Sequence, residues 1–266
     1  MMDFLTEIMA RKRERVAQAK ELCAVEALRA SALKARATAR PHALLNALQD
    51  GSRLNVIAEV KRASPSKGII NALINPEWLA RRYEDGGACA VSVLTEEDRF
   101  RGSLEDLRRV RAAVRLPLLR KDFIFDEYQL YEAACAGADA LLLIVAALDD
   151  TTLSRLRQIT EDELGMDALV EVHTREELRR AAACGSRLVG VNNRNLHSFE
   201  VSLDTSVELA SLAPAGATMI SESGLGTTDD LLRLRALGYK GFLIGETLMR
   251  AEEPEKSLRE LIYGSS

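Results

Sequence analysis

The chain has 266 residues, 47% hydrophobic and 29% charged, with a formal net charge of -4. That length allows one large domain or two small ones, and the composition is ordinary for a soluble globular protein. The mild acidity supplies no basic field for nucleic acid, and the longest apolar run, residues 138–148, is broken by Asp139 and too short to cross a bilayer.

The first twenty residues carry their charges in the wrong order for a secretory leader, so a cytoplasmic protein is expected. Residues 1–50 read as a helical extension. Phe4, Leu5, Ile8 and Met9 recur at helical spacing, and Leu44, Leu45 and Leu48 do so again after Pro41. RKRER (residues 11–15) reads as a solvated helix face.

From about Asn55 onward, short β-branched or apolar runs alternate with amphipathic stretches. The runs are 56–60, 90–94, 116–119, 140–145, 168–172, 188–191, 218–220 and 242–244. The helical stretches are 76–83, 104–114, 127–136, 151–163, 175–184, 229–237 and 253–262, most of them ending near a glycine that can stop a helix. Eight strand-and-helix units describe a parallel sheet with helical crossovers. Such a sheet can close into a (β/α)8 TIM barrel, here a single catalytic domain over residues 51–266 with the helical extension 1–50 packed on it. An open doubly wound sheet is the alternative, but its first strand is often followed by a glycine fingerprint. Here the first strand is followed by KRASPSKG.

In such a barrel, chemistry sits where strands end. Side chains two apart share a strand face, so Ile57, Glu59 and Lys61 align, as do Leu119 and Lys121, and Leu169 and Glu171. If Ile57, Leu119 and Leu169 fill the interior, Glu59, Lys61, Lys121 and Glu171 converge at the mouth, and Glu222 can join them. Any one of these charges, taken alone, reads more readily as a rim salt bridge. Five at one relative position point to a site that neutralises itself or receives a charged ligand. After the seventh and eighth strands come SGLGTT (residues 223–228) and GET (residues 245–247), glycine turns of the kind that bind phosphate beside a helix start. Lys61 and Arg194 are the available cations.

Cys23, Cys89, Cys135 and Cys184 form no CxxC pair and read as reduced packing residues. His42, His173 and His197 form no ligand pair, so no metal is expected.

Several segments, taken together, resemble the indole-3-glycerol-phosphate synthases. They are AEVKRASPSKG (58–68), SVLTEEDRFRGS (92–103), LRKDFI (119–124), LVEVHT (169–174), GVNNRNL (190–196), ISESGL (220–225) and LIGETLM (243–249). The motifs run in family order over nearly the whole chain. FLTEIMARKRERV at the N-terminus is similar to the family's extra helices. The resemblance implies ring closure, decarboxylation and dehydration of 1-(2-carboxyphenylamino)-1-deoxyribulose 5-phosphate, without a cofactor. It also implies roles for individual residues. Lys121 matches the general acid, with Lys61 ranked second, and Glu171 the proton acceptor for dehydration. Glu59 and Lys61 match residues that move protons and hold the substrate, while Asn192 and Glu222 match ligands of the sugar hydroxyls. Lys61, Arg194, Ser223, Gly224 and Gly245 match the phosphate site. Phe100, Phe123 and Leu142 match walls around the anthranilate ring, under a loop bearing Ser64 and Pro65. Glu246, a carboxylate beside a phosphate, is expected to offer its backbone N–H and point its side chain away. His173 is expected to be a packed, non-catalytic neighbour of Glu171. The expected partner is the small-molecule substrate, with no nucleic acid or membrane, and contact with other tryptophan-pathway enzymes is left open.

Overall fold

The computed structural model describes residues 4–65 and 68–264. Among them, eight parallel strands close a barrel: β1 (Val56–Val60), β2 (Ala90–Leu94), β3 (Leu118–Lys121), β4 (Ala140–Ile144), β5 (Asp167–Val172), β6 (Leu188–Asn192), β7 (Thr218–Glu222) and β8 (Gly241–Ile244). Each pairs with its neighbours in chain order, and β8 closes onto β1 with Val56 opposite Phe242. The strands are apolar on both faces because both are covered. Ile57, Leu119, Leu169, Leu188, Ile220 and Leu243 fill the interior. Val56, Ala58, Val91, Val93, Leu141 and Val170 point outward into the layer beneath the helices.

The crossover helices are α4 (Pro76–Asp85), α5 (Leu104–Ala113), α6 (Glu127–Cys135), α7 (Asp150–Gln158), α8 (Arg175–Ala183), α9 (Asp204–Ala210), α10 (Thr228–Ala236), α11 (Glu246–Arg250) and α12 (Pro254–Tyr263). Most of the longer ones start on a side-chain oxygen that accepts a first-turn N–H, as Ser103, Asp126, Thr174 and Thr227 do. Gly137, after α6, has φ +87°, and a Cβ there would sit 2.6 Å from Arg111 Cγ, so both its backbone and its space require glycine.

Three elements depart from the sequence expectation. The third strand starts at Leu118 rather than residue 116, and it runs on through Arg120 and Lys121, which pair with Val93 and Leu94. Polar residues hid this, yet the outward Arg120 is neutralised by Asp122 and Glu132. The seventh helix becomes a π-turn over Ile159–Glu163. Helix α9 carries too short an apolar pattern to be read in advance, and Asn193 Oδ1 anchors it by accepting Ser206 N–H at 3.1 Å.

The N-terminal helices α1 (Phe4–Leu22), α2 (Val25–Arg36) and α3 (Ala43–Ala47) run from one end of the barrel to the other. Helix α1 lies at the mouth, α2 packs along α6, and α3 closes the base, where Asp167 accepts the N–H groups of Leu44 and Leu45. The RKRER segment is not a uniformly solvated face: Lys12 is only 4% exposed. Its Nζ lies 2.9 Å from buried Asp122 and 2.7 Å from Glu97. Burial opposes the Asp122 charge, but Lys12 and Arg120 outweigh it and hold that carboxyl below its ordinary range.

Lys12→Met removes one of the two cations on a buried carboxylate, which costs about 3 kcal/mol. Thermal unfolding of the variant at neutral pH is expected roughly 6–12 °C lower. A carboxyl whose native pKa is depressed contributes its stability in full above the unfolded value, about 3.9. That contribution is lost as pH falls through the lower native value. The gap between variant and parent should therefore be widest at pH 7 and narrow in acid below about pH 4. Equal melting temperatures at pH 7 would show that the pair contributes nothing.

Candidate active site

Strand alternation puts Glu59, Lys121, Glu171, Asn192 and Glu222 on the inner side of the C-terminal strand ends. They sit above the layer containing Ile57, Leu119, Leu169 and Ile220. Lys121 Nζ reaches Glu222 Oε2 at 2.7 Å and Glu171 Oε2 at 3.1 Å. Lys61, just past β1, holds Glu59 Oε1 at 2.5 Å. The expected convergence is therefore met for Glu59, Lys61, Lys121, Glu171 and Glu222. Asn192 stands opposite Glu222 in the β6–β7 register. Two glycines make the room: a Cβ on Gly190 would collide with the Glu222 carboxylate, and one on Gly245 with that of Glu59.

Two ammonium groups thus face three carboxylates in a buried site, and the proton affinities adjust. Burial works against the Lys121 charge, but Glu222, Glu171 and Glu59 together raise its pKa well above the ordinary value. Burial likewise opposes the Glu171 charge, yet Lys121 and His173 hold its pKa below the usual range. Burial raises Glu222 to about 7, with Glu171 and Glu59 adding to the rise against the pull of Lys121. Glu222 can therefore gain or lose a proton near neutrality. The site offers a firmly protonated ammonium beside a firmly ionised carboxylate, a proton donor and a proton acceptor in contact.

These groups open into a cavity of about 650 Å³, within the range that holds a small organic ligand. Phe100, Phe123 and Leu142 line its apolar part, with the Phe100 and Phe123 rings 6.3 Å apart. Ser64 and Pro65 line it too, from a short hairpin that pairs Ala63–Ser64 with Gly68–Ile69. Ser66 and Lys67 of the same motif lie outside the described residues.

Lys61, Arg194, Ser223, Gly224, Gly245 and Glu246 line the polar part of the cavity. Ser223 (φ +67°) and Gly224 (φ +79°) both take positive φ directly after β7. For Ser223 that conformation is strained, the sort of strain found at ligand sites. Glu246 does not turn its side chain out of the way. Its carboxylate lies between Arg194 (3.9 Å) and Arg250 (3.2 Å), both of which line the cavity.

Sequence reasoning missed Phe4, Phe199 and Arg250 as lining residues. Phe4 comes from α1, its ring 6.4 Å from Phe123 and 5.4 Å from Phe199. Its helical spacing with Leu5 and Ile8 was the available signal, and that signal reads only as packing. Among the described residues, no group of three or more His, Cys, Asp and Glu side chains is placed to hold a metal ion. No helix among them is long and apolar enough to cross a membrane.

A family model described as indole-3-glycerol phosphate synthase matches residues 5–261. The indole-3-glycerol phosphate synthase of Carboxydothermus hydrogenoformans is 47% identical over 263 residues, covering 97% of this chain and 99% of that protein. That of Koribacter versatilis is 52% identical over 207 residues, 78% of this chain and 79% of that protein. Among solved structures, 3-hexulose-6-phosphate synthase from Salmonella typhimurium superposes with a TM-score of 0.63 at 12% identity, covering 78% of this chain and 96% of that one. Thiamine phosphate pyrophosphorylase from Pyrococcus furiosus gives a TM-score of 0.60 at 17% identity, covering 78% and 93%. At such low identity these two likenesses speak to the barrel fold alone.

Proposed function

Because the chain belongs to the indole-3-glycerol phosphate synthase family, we propose that its reaction is divided between Lys121 as proton donor and Glu171 as proton acceptor. The activity is that of a carboxy-lyase of tryptophan biosynthesis acting on a phosphorylated anthranilate derivative. The ring carbon bearing the carboxylate attacks the ribulose carbonyl of 1-(2-carboxyphenylamino)-1-deoxyribulose 5-phosphate. Lys121 protonates the carbonyl oxygen as negative charge grows on it. The ring-closed intermediate is cationic, so carbon dioxide leaves and its bonding pair restores the benzene ring. The new hydroxyl takes a proton from Lys61 and departs as water, and Glu171 takes the remaining ring proton, completing the indole.

Glu59 and Lys61 orient the substrate and exchange protons with it, and Asn192 and Glu222 hold the sugar hydroxyls. Lys61, Arg194 and the backbone of Ser223, Gly224 and Gly245 hold the phosphate. Phe100, Phe123 and Leu142 pack the anthranilate ring, with Ser64 over it. Glu246 screens the two arginines until phosphate arrives, its side chain giving way while its N–H remains. Residues 51–266 form the catalytic unit and 1–50 its extension. Four free cysteines fit a reducing cytoplasm.

One observation supports this division of labour: a single ammonium touches both Glu171 and Glu222 in a cavity lined by Phe100, Phe123 and Leu142 on one side and by Lys61, Arg194 and Arg250 on the other. The purified protein should convert the carboxyphenylamino ribulose phosphate to a product with indole fluorescence, releasing one carbon dioxide per indole. Conversion of phosphoribosylanthranilate in its place, an Amadori rearrangement without carbon dioxide release, would overturn the reading.

A further inference from the structure

His173 stands two residues beyond Glu171, at the junction of β5 and α8, and the scheme above gives it no part. Among the described residues it does not line the cavity. Its ring lies between two carboxylates: Nδ1 is 3.1 Å from Glu177 Oε2, and Nε2 is 3.4 Å from Glu171 Oε1. The Glu177 carboxylate also accepts the His173 backbone N–H at 2.7 Å, which ties it to the strand end. Glu177 is in turn fixed at the start of α8, where its N–H donates to Thr174 Oγ1.

The two oxygens of Glu171 therefore face different cations. Oε2 is held by Lys121 at 3.1 Å, and Oε1 faces the imidazole. The geometry points to His173 as a positioning residue that, as an imidazolium clamped by Glu177, fixes the orientation and ionisation of the Glu171 carboxylate. This inference rests on Glu171 being the proton acceptor.

The charges around the ring agree. Glu171 faces it from β5, Glu177 from α8 and Glu222 from β7, while Lys121 of β3 lies on the far side of Glu171. Burial disfavours the imidazolium, but the three carboxylates outweigh burial and raise the His173 pKa above 6.5. Its Nε2 makes no hydrogen bond among the described residues, so a neutral ring with its proton on Nδ1 would aim a lone pair at the Glu171 carboxylate. Protonation turns that repulsion into an ion pair.

His173→Gln removes the charge while keeping a planar polar side chain. Without the neighbouring cation, Glu171 binds its proton more tightly. In single-turnover indole formation, the acid limb of the pH profile should move up by about one unit. Near neutrality the rate should fall about fivefold to twentyfold. The KM should stay within about twofold, because the residue touches no substrate. Glu177→Gln keeps an acceptor for the His173 N–H but withdraws the second carboxylate, so its limb should move the same way by a smaller amount. Should His173→Gln fold poorly, the Glu177→Gln profile still decides.

Profiles of both variants superimposable on the parent would overturn the inference. Glu171→Gln, run in the same series, keeps the two readings apart. A fast Glu171→Gln enzyme removes the underlying scheme, whereas a slow one beside unshifted His173→Gln and Glu177→Gln profiles removes only the role of His173.

Discussion

Lys121→Met should lower turnover by about a hundredfold or more, with KM for the phosphorylated substrate little changed. The side chains match in length, so the loss is of charge and of a transferable proton. The proposed phosphate end of the cavity, at Arg194, Ser223 and Gly224, is left intact by the substitution. Lys121→Arg separates the two losses. A guanidinium keeps the positive charge between Glu171 and Glu222 but does not release its proton near neutrality. If protonating the carbonyl oxygen is the work of this residue, arginine should recover less than a tenth of parental turnover. If charge balance alone matters, arginine should recover most of it. Turnover of Lys121→Met within tenfold of the parent would exclude Lys121 as the acid. The expected rate loss is large because, among the described residues, the other lysine lining the cavity, Lys61, is engaged by Glu59 at 2.5 Å.

The parts of this site that sequence exposes are those governed by strand periodicity. A polar residue at the end of an apolar run, two positions past an interior residue, must face the barrel axis. That rule alone brings Glu59, Lys61, Lys121 and Glu171 together across more than a hundred residues of chain. It also explains why Gly245 and Glu246 could be located by their place after the last strand. What sequence hides depends on contacts between elements with no common period. Phe4 enters the cavity because α1 lies across the mouth, a docking angle that no residue of α1 announces. Lys12 belongs to a run of charges that looks solvated until Asp122, immediately after Lys121, proves to lie beneath it. The rotation of Glu246 toward Arg194 and Arg250 is set by one charge on its own helix and one on the loop after β6. His173 was noted as a neighbour of Glu171, but its orientation depends on Glu177 in the next helix. Sequence fixes the direction of a side chain on a strand far better than the partner it meets there.

Glu171→Gln should uncouple the two products. In a single turnover, carbon dioxide release should remain within about tenfold of the parent, while indole fluorescence rises about a hundredfold more slowly. Lys121 survives the substitution and keeps Glu222 Oε2 at 2.7 Å, so ring closure and loss of carbon dioxide retain their acid. The amide cannot accept the ring proton, and the side chain is only 2% exposed, so bulk water has poor access to take its place. A ring-closed, decarboxylated and still hydroxylated intermediate should therefore accumulate, and a cold, mildly alkaline quench should preserve it, with indole absorbance appearing only once the quenched sample is acidified. The parent holds Glu171 ionised well into mild acid, because Lys121 and His173 outweigh burial there. Its dehydration step should thus persist as pH falls, until the carboxylate is protonated below the ordinary glutamate value of 4.5. Carbon dioxide and indole appearing in step in the variant, whether both fast or both slow, would move Glu171 out of the final proton transfer. Both slow would place its contribution at or before ring closure, through its contact with Lys121.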